Sequence, residues 1–250
     1  MSANIEKRRQ AVLDIINQMG TINFAQLEQY FPNVSGATLR KDLQYLSDGR
    51  QIMRFHGGAK SMPREPSFVS RSNLHREEKK MIAAKAASLI QPAQSIFLTA
   101  GSTCAELAKQ MPDYPLYLAM DGLDTAMSLR YNPSITVELL GGELDLNLMR
   151  VSGSPLLERL DKLHFNIAFL GTPSFHPRYG FSYLSEITVT CLKKAAEQSE
   201  QVVMLMDSSK LNYAFTPCNI PIEDVDVVIT DDMLDEKVVS QLRERGIRVL

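Results

Sequence analysis

The sequence predicts a multi-domain α/β protein, with a small helical module at the N-terminus and a larger domain built on a mostly parallel sheet. Three observations carry this. Charge is uneven: residues 1–80 hold 13 Lys/Arg against 8 Asp/Glu and the rest 14 against 21, within a chain of net charge −2. Apolar residues follow helical spacing through the first fifty positions, then give way to a short strand and a glycine turn. From residue 95 onward short apolar runs alternate with helical patterns, the rhythm of a parallel sheet covered on both faces. The 250 residues, 44% of them hydrophobic, suffice for one large core and one small one.

The first sixty residues are the basic part. Val12, Ile15, Ile16 and Met19 fall on one helical face, and Gly20 closes the segment. Thr21 and Asn23 are candidate N-caps for a second, short helix with Phe24, Leu27 and Phe31 at core spacing; Pro32-Asn33 breaks it. Ser35 then caps a third helix, in which Leu39, Leu43 and Leu46 form the inward stripe. On a wheel of about 100° per residue, Ala37, Lys41, Gln44 and Asp48 point the opposite way, with Thr38 and Arg40 on the flanks. Small, hydroxyl and cationic groups on an outward helix suit a major groove, which demands close approach together with donors and acceptors. Asp48-Gly49 ends the helix. Gln51 to Phe55 then reads as a strand, and His56-Gly57-Gly58 as the turn of a hairpin wing that would bring Arg54 and His56 to a phosphate backbone or minor groove. The surplus of positive charge fits a polyanionic partner. A plain packing module with solvated charges would show the same periodicity.

Residues 61–74, with Pro63, Pro66 and several serines, show no periodicity and read as a linker. A helix follows from Arg76 to Ile90. Strands are then expected over 95–99, 116–120, 136–140, 165–170, 202–206, 225–230 and 247–250, with helices over 104–110, 124–130, 155–163, 186–198 and 234–246. Sheets of this kind bind ligands at the carboxyl ends of their strands. Gly101-Ser102-Thr103 sits there, between a strand and a helix. Its glycine permits close backbone approach, its hydroxyls donate, and the helix N-terminus favours an anion. Such a triplet also occurs as a simple turn and cap. Gly141-Gly142, Gly171-Thr172 and the Asp207-Ser208-Ser209-Lys210 run follow other strands, Lys210 offering a point charge to a phosphate. Asp121 could accept from sugar hydroxyls or belong to a turn, and Glu186 could serve the dipole of its helix or accept a ligand hydroxyl.

At this point a resemblance enters. Val34-Ser35-Gly36-Ala37-Thr38-Leu39-Arg40-Lys41-Asp42-Leu43, then Leu46, Gly49, Arg54 and His56-Gly57-Gly58-Ala59, resembles the winged helix-turn-helix of DeoR-type bacterial transcription regulators. It continues through Phe68-x-x-Arg71, Glu78-Lys79-x-x-Ile82-Ala83, Gly101-Ser102-Thr103, Gly141-Gly142, Gly153, Ala168 to Gly171, Gly180, Glu186, Asp207 to Lys210 and Val225 to Asp231, nearly the whole chain. The resemblance implies a DNA-binding domain over residues 1–60, its helix-turn-helix at about 20–39, and an effector-binding and oligomerisation domain over 75–250, similar to sugar-phosphate isomerases. It implies that Ser35, Thr38, Arg40 and Lys41 meet an operator in double-stranded DNA and that a phosphorylated sugar binds the second domain. Ala37 beside Thr38 and the wing residues Arg54 and His56 are expected to join that contact, and because one module buries too little DNA for operator specificity a homodimer or tetramer is expected. Four departures stand out: Gly36 where the family often has Glu, Thr99 for an Asp before the glycine loop, Met120-Asp121 for Thr-Asn, and Asn166 for Asp. Thr99 and Met120-Asp121 are expected to line the sugar pocket.

Other classes are disfavoured. Sugar-phosphate isomerisation needs a poised acid or base, and the loss of an acid at Thr99 argues against an enzyme. A sugar-phosphate-binding protein whose winged module meets protein instead of DNA is the alternative. Cys104 has no implied His partner, the histidines form no ligand pattern, and no dinucleotide or P-loop motif is present, so no catalytic residue, metal or cofactor is expected. No apolar run of about 18 residues suggests a membrane span, and three scattered cysteines fit a reduced, cytoplasmic protein.

Overall fold

The structure, a computed structural model, describes residues 2–49, 51–61, 65–211 and 218–250, and the chain divides into two compact units, residues 1–64 and 65–250.

The N-terminal unit runs α1 (Ser2–Met19), β1 (Thr21–Asn23), α2 (Phe24–Tyr30), α3 (Gly36–Asp48), β2 (Ile52–Phe55) and β3 (Gly58–Ser61). The expected stripes meet in one core, with Val12 and Ile16 of α1 against Leu27, Leu39, Leu43 and Leu46. Asn23 caps α2: its side chain accepts the Gln26 N–H, and the Gln26 side chain accepts the Asn23 N–H in return. The strand β1 is an addition to the sequence reading. It pairs with β3, Ile22 opposite Ala59, and makes the wing three-stranded. Three residues are too few for an alternating pattern to show. Gly58 permits that pairing, because a Cβ there would lie 2.4 Å from the Ile22 carbonyl oxygen.

The C-terminal unit opens with α4 (Phe68–Asn73) and α5 (Arg76–Ala87). It continues with β4 (Ser95–Leu98), α6 (Ser102–Lys109), β5 (Leu116–Met120), α7 (Leu123–Ser128), β6 (Ile135–Leu139), β7 (Glu143–Asp145), β8 (Arg150–Ser152), α8 (Ser154–Leu160) and β9 (Phe165–Gly171). After β10 (Ser174–His176) and β11 (Gly180–Tyr183) come α9 (Glu186–Glu197), β12 (Ser199–Leu205), β13 (Cys218–Ile220), β14 (Val227–Ile229), α10 (Glu236–Glu244) and β15 (Arg248–Val249). Seven of the strands form one all-parallel sheet in the order β15-β14-β12-β9-β4-β5-β6. This is the mixed α/β class expected. Alternate strand residues enter opposite cores: Phe97, Ala168 and Leu170 join one, and Ile96, Leu98, Ile167 and Phe169 the other. Burial on both faces is why these strands read as continuous apolar runs.

Two features correct the sequence reading. Of the segment 61–74 expected as a linker, Ser61 ends β3 and Phe68–Asn73 is a helix capped by Ser67, whose side chain accepts the Ser70 N–H, while residues 62–64, Pro63 among them, lie outside the described residues. A single helix of six residues is too short to show periodicity, and Val69 on it is exposed, which hides an apolar face. The hairpin β7-β8 and the antiparallel sheet β10-β11-β13 also interrupt the expected alternation.

Candidate functional site

Each unit carries a candidate site. In the N-terminal unit, α3 starts at Ser35, whose side chain accepts the Thr38 N–H at 3.2 Å and whose hydroxyl lies 2.8 Å from that of Thr38. Ala37, Arg40, Lys41, Gln44 and Asp48 are exposed, as the helical wheel requires. The Arg40 guanidinium rests over the Phe24 ring, 4.3 Å from its centre, so α2 steers this cation. It does not bridge Asp42. Asp42 is buried and held by Arg8 at 2.6 Å and Arg9 at 3.1 Å. That acid lies about 60° from Leu39 on the wheel, on the inward side, and its position was the available signal for a buried partner of the N-terminal arginines. The wing strand β2 reaches the same helix through Arg54, which donates to the Gln44 side-chain oxygen, while the Gln44 amide donates to Asp48 at 2.6 Å. His56 and Gly57 form the two-residue turn between β2 and β3 and are exposed. The seven residues nominated for DNA thus lie on the start of α3 and on the wing.

In the C-terminal unit a small pocket opens at the carboxyl ends of β4 and β9. Gly101, Ser102, Thr103, Gly171 and Lys210 line it, together with Glu65, Arg71, Arg150, Thr172 and Tyr183. Gly101 is the N-cap of α6 with φ +147°, so no N-cap side chain covers the first amides of α6, where the helix dipole favours an anion. Behind the loop lies a buried polar group. Asp121 accepts from the Ala100 N–H and the Thr99 hydroxyl and faces Arg150 Nε at 3.2 Å, and Arg150 in turn donates to Thr99 Oγ1 at 3.0 Å and to the Ala100 carbonyl at 2.9 Å. Asp121 and Arg150 are 1% and 7% exposed. Arg150 lines the pocket from this base, and Tyr183 donates to the Gly171 carbonyl at 3.0 Å. Burial pushes the Cys104 thiol up to about 12, so this cysteine of the loop is protonated at neutral pH.

Four expected effector residues are not at the pocket wall. Asp121 is spent on Arg150 and the loop backbone. Gly141 and Gly142 are exposed and lie away from the lining; Gly142, at φ +148°, accommodates the Ser152 carbonyl, which a Cβ would meet at 2.3 Å. Glu186 is exposed in the first turn of α9, where its charge complements the helix dipole. Nor do the departures at Thr99 and Met120 line the cavity. Thr99 sits with the buried Asp121–Arg150 pair and Met120 in the apolar core, while Asn166 ties Ser95 to Glu200 at the opposite ends of the strands. Lining residues that the sequence reading did not assign to the effector are Glu65, Arg71, Arg150, Thr172 and Tyr183. Thr172 follows the flagged Gly171, and Arg71 stood in the Phe68-x-x-Arg71 motif, but neither Arg150 nor Tyr183 carries a local signal. Among the described residues no group of His, Cys, Asp and Glu could hold a metal ion, and no helix is long and apolar enough to cross a membrane.

Comparison with known proteins bears on both sites. Residues 8–65 match the DeoR-like helix-turn-helix domain, and residues 74–232 match the DeoR C terminal sensor domain. An uncharacterized HTH-type transcriptional regulator of Bacillus subtilis, YulB, is 31% identical over 249 residues, covering 98% of this chain and 96% of its own. The HTH-type transcriptional regulator GolR of Listeria innocua is 28% identical, covering 97% of each chain. A putative aga operon transcriptional repressor of Escherichia coli O157:H7 is 27% identical, covering 98% of this chain and 93% of its own.

Proposed function

The chain belongs to the DeoR family of DNA-binding transcriptional regulators, and from that premise we propose that it is a cytoplasmic repressor of a carbohydrate-metabolism operon whose operator binding is modulated by a phosphorylated sugar. The observation that carries the effector reading is the pocket itself: an uncapped helix N-terminus preceded by Gly101, with Ser102, Thr103, Lys210, Arg71 and Arg150 around it. Free amides and three cations form a cradle for a dianionic phosphate. Repression is supported by the name of the Escherichia coli relative.

On the DNA side, Ala37 and Thr38 read base edges, Arg40 and Lys41 meet phosphates, and Arg54 and His56 of the wing meet the backbone or minor groove, a reading supported by the Ser35-capped start of α3 and the exposure of Ala37, Arg40, Lys41, Arg54 and His56. One winged module covers too little DNA for operator specificity, so two or more copies act together on repeated half-sites. The C-terminal unit then both binds the effector and assembles the subunits. Effector binding favours one arrangement of the DNA-binding modules over another and lowers operator affinity by that difference.

The test is fluorescence anisotropy of the full chain against labelled DNA from around its own gene, at physiological salt with competitor DNA. A panel of sugar phosphates is screened alongside by melting temperature. Saturable binding that survives competitor, together with one sugar phosphate that raises the melting temperature, is expected. DNA binding at low salt only would overturn the operator reading, and a silent panel would overturn the effector reading.

A further inference from the structure

Among the described residues lining the pocket, Glu65 is the one carboxylate, facing the cations Arg71, Arg150 and Lys210. The three cations are partnered differently. Arg150 and Lys210 answer to Asp121 and Asp207, each 1% exposed and outside the lining. Both acids are locked in place, Asp121 by the Ala100 N–H and Thr99 hydroxyl and Asp207 by the Ser209 N–H and hydroxyl. Arg71 alone is paired with a carboxylate that stands in the cavity, Glu65 at 2.5 Å. Both side chains are largely buried, and among the described residues the Arg71 Nε finds no acceptor. Burial also lowers the Arg71 pKa.

We infer that Glu65 is a built-in anion that occupies Arg71 until the anionic group of the effector takes its place, which makes Arg71 an effector ligand and Glu65 its displaceable competitor. The inference rests on the reading of this pocket as an anion site. A phosphate in the cavity meets the Glu65 carboxylate at short range and little screened by water, so the two anions exclude each other. The anchoring of the segment is graded. Its far end is stapled by Lys79, which donates to the carbonyls of Arg71 at 2.5 Å and of Leu74, so Arg71 stays. Besides the Arg71–Glu65 pair itself, its near end is tied among the described residues by Asn147, whose side chain donates to the Glu65 carbonyl at 3.2 Å and whose carbonyl accepts the Phe68 N–H at 2.8 Å. Glu65 is therefore the end free to leave.

Inorganic phosphate serves as the probe, titrated calorimetrically into the full-length protein. Glu65→Gln keeps a hydrogen-bonding side chain but removes the charge; it should bind phosphate about fivefold to tenfold more tightly than the wild type. Arg71→Gln should weaken binding and cancel the gain when combined with Glu65→Gln. In hydrogen exchange, phosphate should slow the amides of 101–105 and speed those of 65–70 in the wild type. Equal affinity of wild type and Glu65→Gln, with binding still weakened by Lys210→Ala, would overturn the inference and leave the pocket standing. Slower exchange of 65–70 on binding would overturn it too, since the segment would then close over the ligand. Phosphate binding to none of these proteins, or binding indifferent to Lys210, would remove the pocket reading and the inference with it.

Discussion

Replacing Asp121 by Ala removes the carboxylate partner of a guanidinium that is 7% exposed, and takes an acceptor from the Ala100 N–H and the Thr99 hydroxyl. Breaking a buried pair by deleting one member costs about 3–5 kcal/mol, because the remaining charge is stranded. Here Arg150 keeps its bonds to Thr99 Oγ1 and the Ala100 carbonyl, which puts the cost at the lower end, about 3 kcal/mol. A domain of this size loses about 2–4 °C per kcal/mol, so the transition of the C-terminal unit should fall by about 6–12 °C. The assay is scanning calorimetry of the full chain, with Arg150→Met and the double variant completing a cycle. The double variant should recover more than half of the loss, since no charge is left unpaired. Were Asp121 instead a ligand for sugar hydroxyls, the single variant would bind effector poorly yet melt normally. A melting temperature within about 2 °C of the wild type, or a double variant as unstable as the two single losses added together, would refute the reasoning.

Three further outcomes are expected. Lys41→Ala should weaken DNA binding on all sequences and flatten the slope of log affinity against log salt by about 0.9, the value of one phosphate contact; an unchanged slope would mean that Lys41 touches none. Asn23→Ala removes the side-chain acceptor of the Gln26 N–H, one half of the capping box on α2, and should cost about 1 kcal/mol, or about 4–8 °C in the transition of the small N-terminal unit by calorimetry. Cys104, fully buried with its thiol pushed up to about 12, should resist iodoacetamide in the native protein at pH 7.5 and react only after unfolding, as read by mass spectrometry.

Legibility in the sequence followed the range of the forces involved. The helices of the N-terminal unit and the parallel strands were readable because burial imposes a period on neighbouring residues: Leu39, Leu43 and Leu46 on α3, or the apolar run from Phe165 to Leu170. The loop Gly101-Ser102-Thr103 and Lys210 were readable because phosphate recognition uses a local backbone form after a strand, and the structure brings these residues to one cavity. Asp121 marks where a local signal ends. Its position after β5 is that of a ligand residue, but it is consumed by Arg150, 29 positions away on a hairpin that had no sequence signature. Glu65 and Arg71 were hidden in a stretch whose prolines and serines resemble a linker, although tertiary contacts with Asn147 and Lys79 fix it in place. Asp42 was legible on the helical wheel, while its partners Arg8 and Arg9 lie more than thirty residues earlier.

The central claim is that an anionic small molecule in the C-terminal pocket controls the grip of the winged module on DNA. The most direct measurement is a titration of the preformed protein–DNA complex with sugar phosphates, followed by anisotropy, for the wild type and for Lys210→Ala. The account predicts that one sugar phosphate releases DNA from the wild type and that Lys210→Ala, still binding the same DNA, needs a markedly higher concentration for release. Release at the same concentration in both proteins, or no release by any member of the panel, would contradict it.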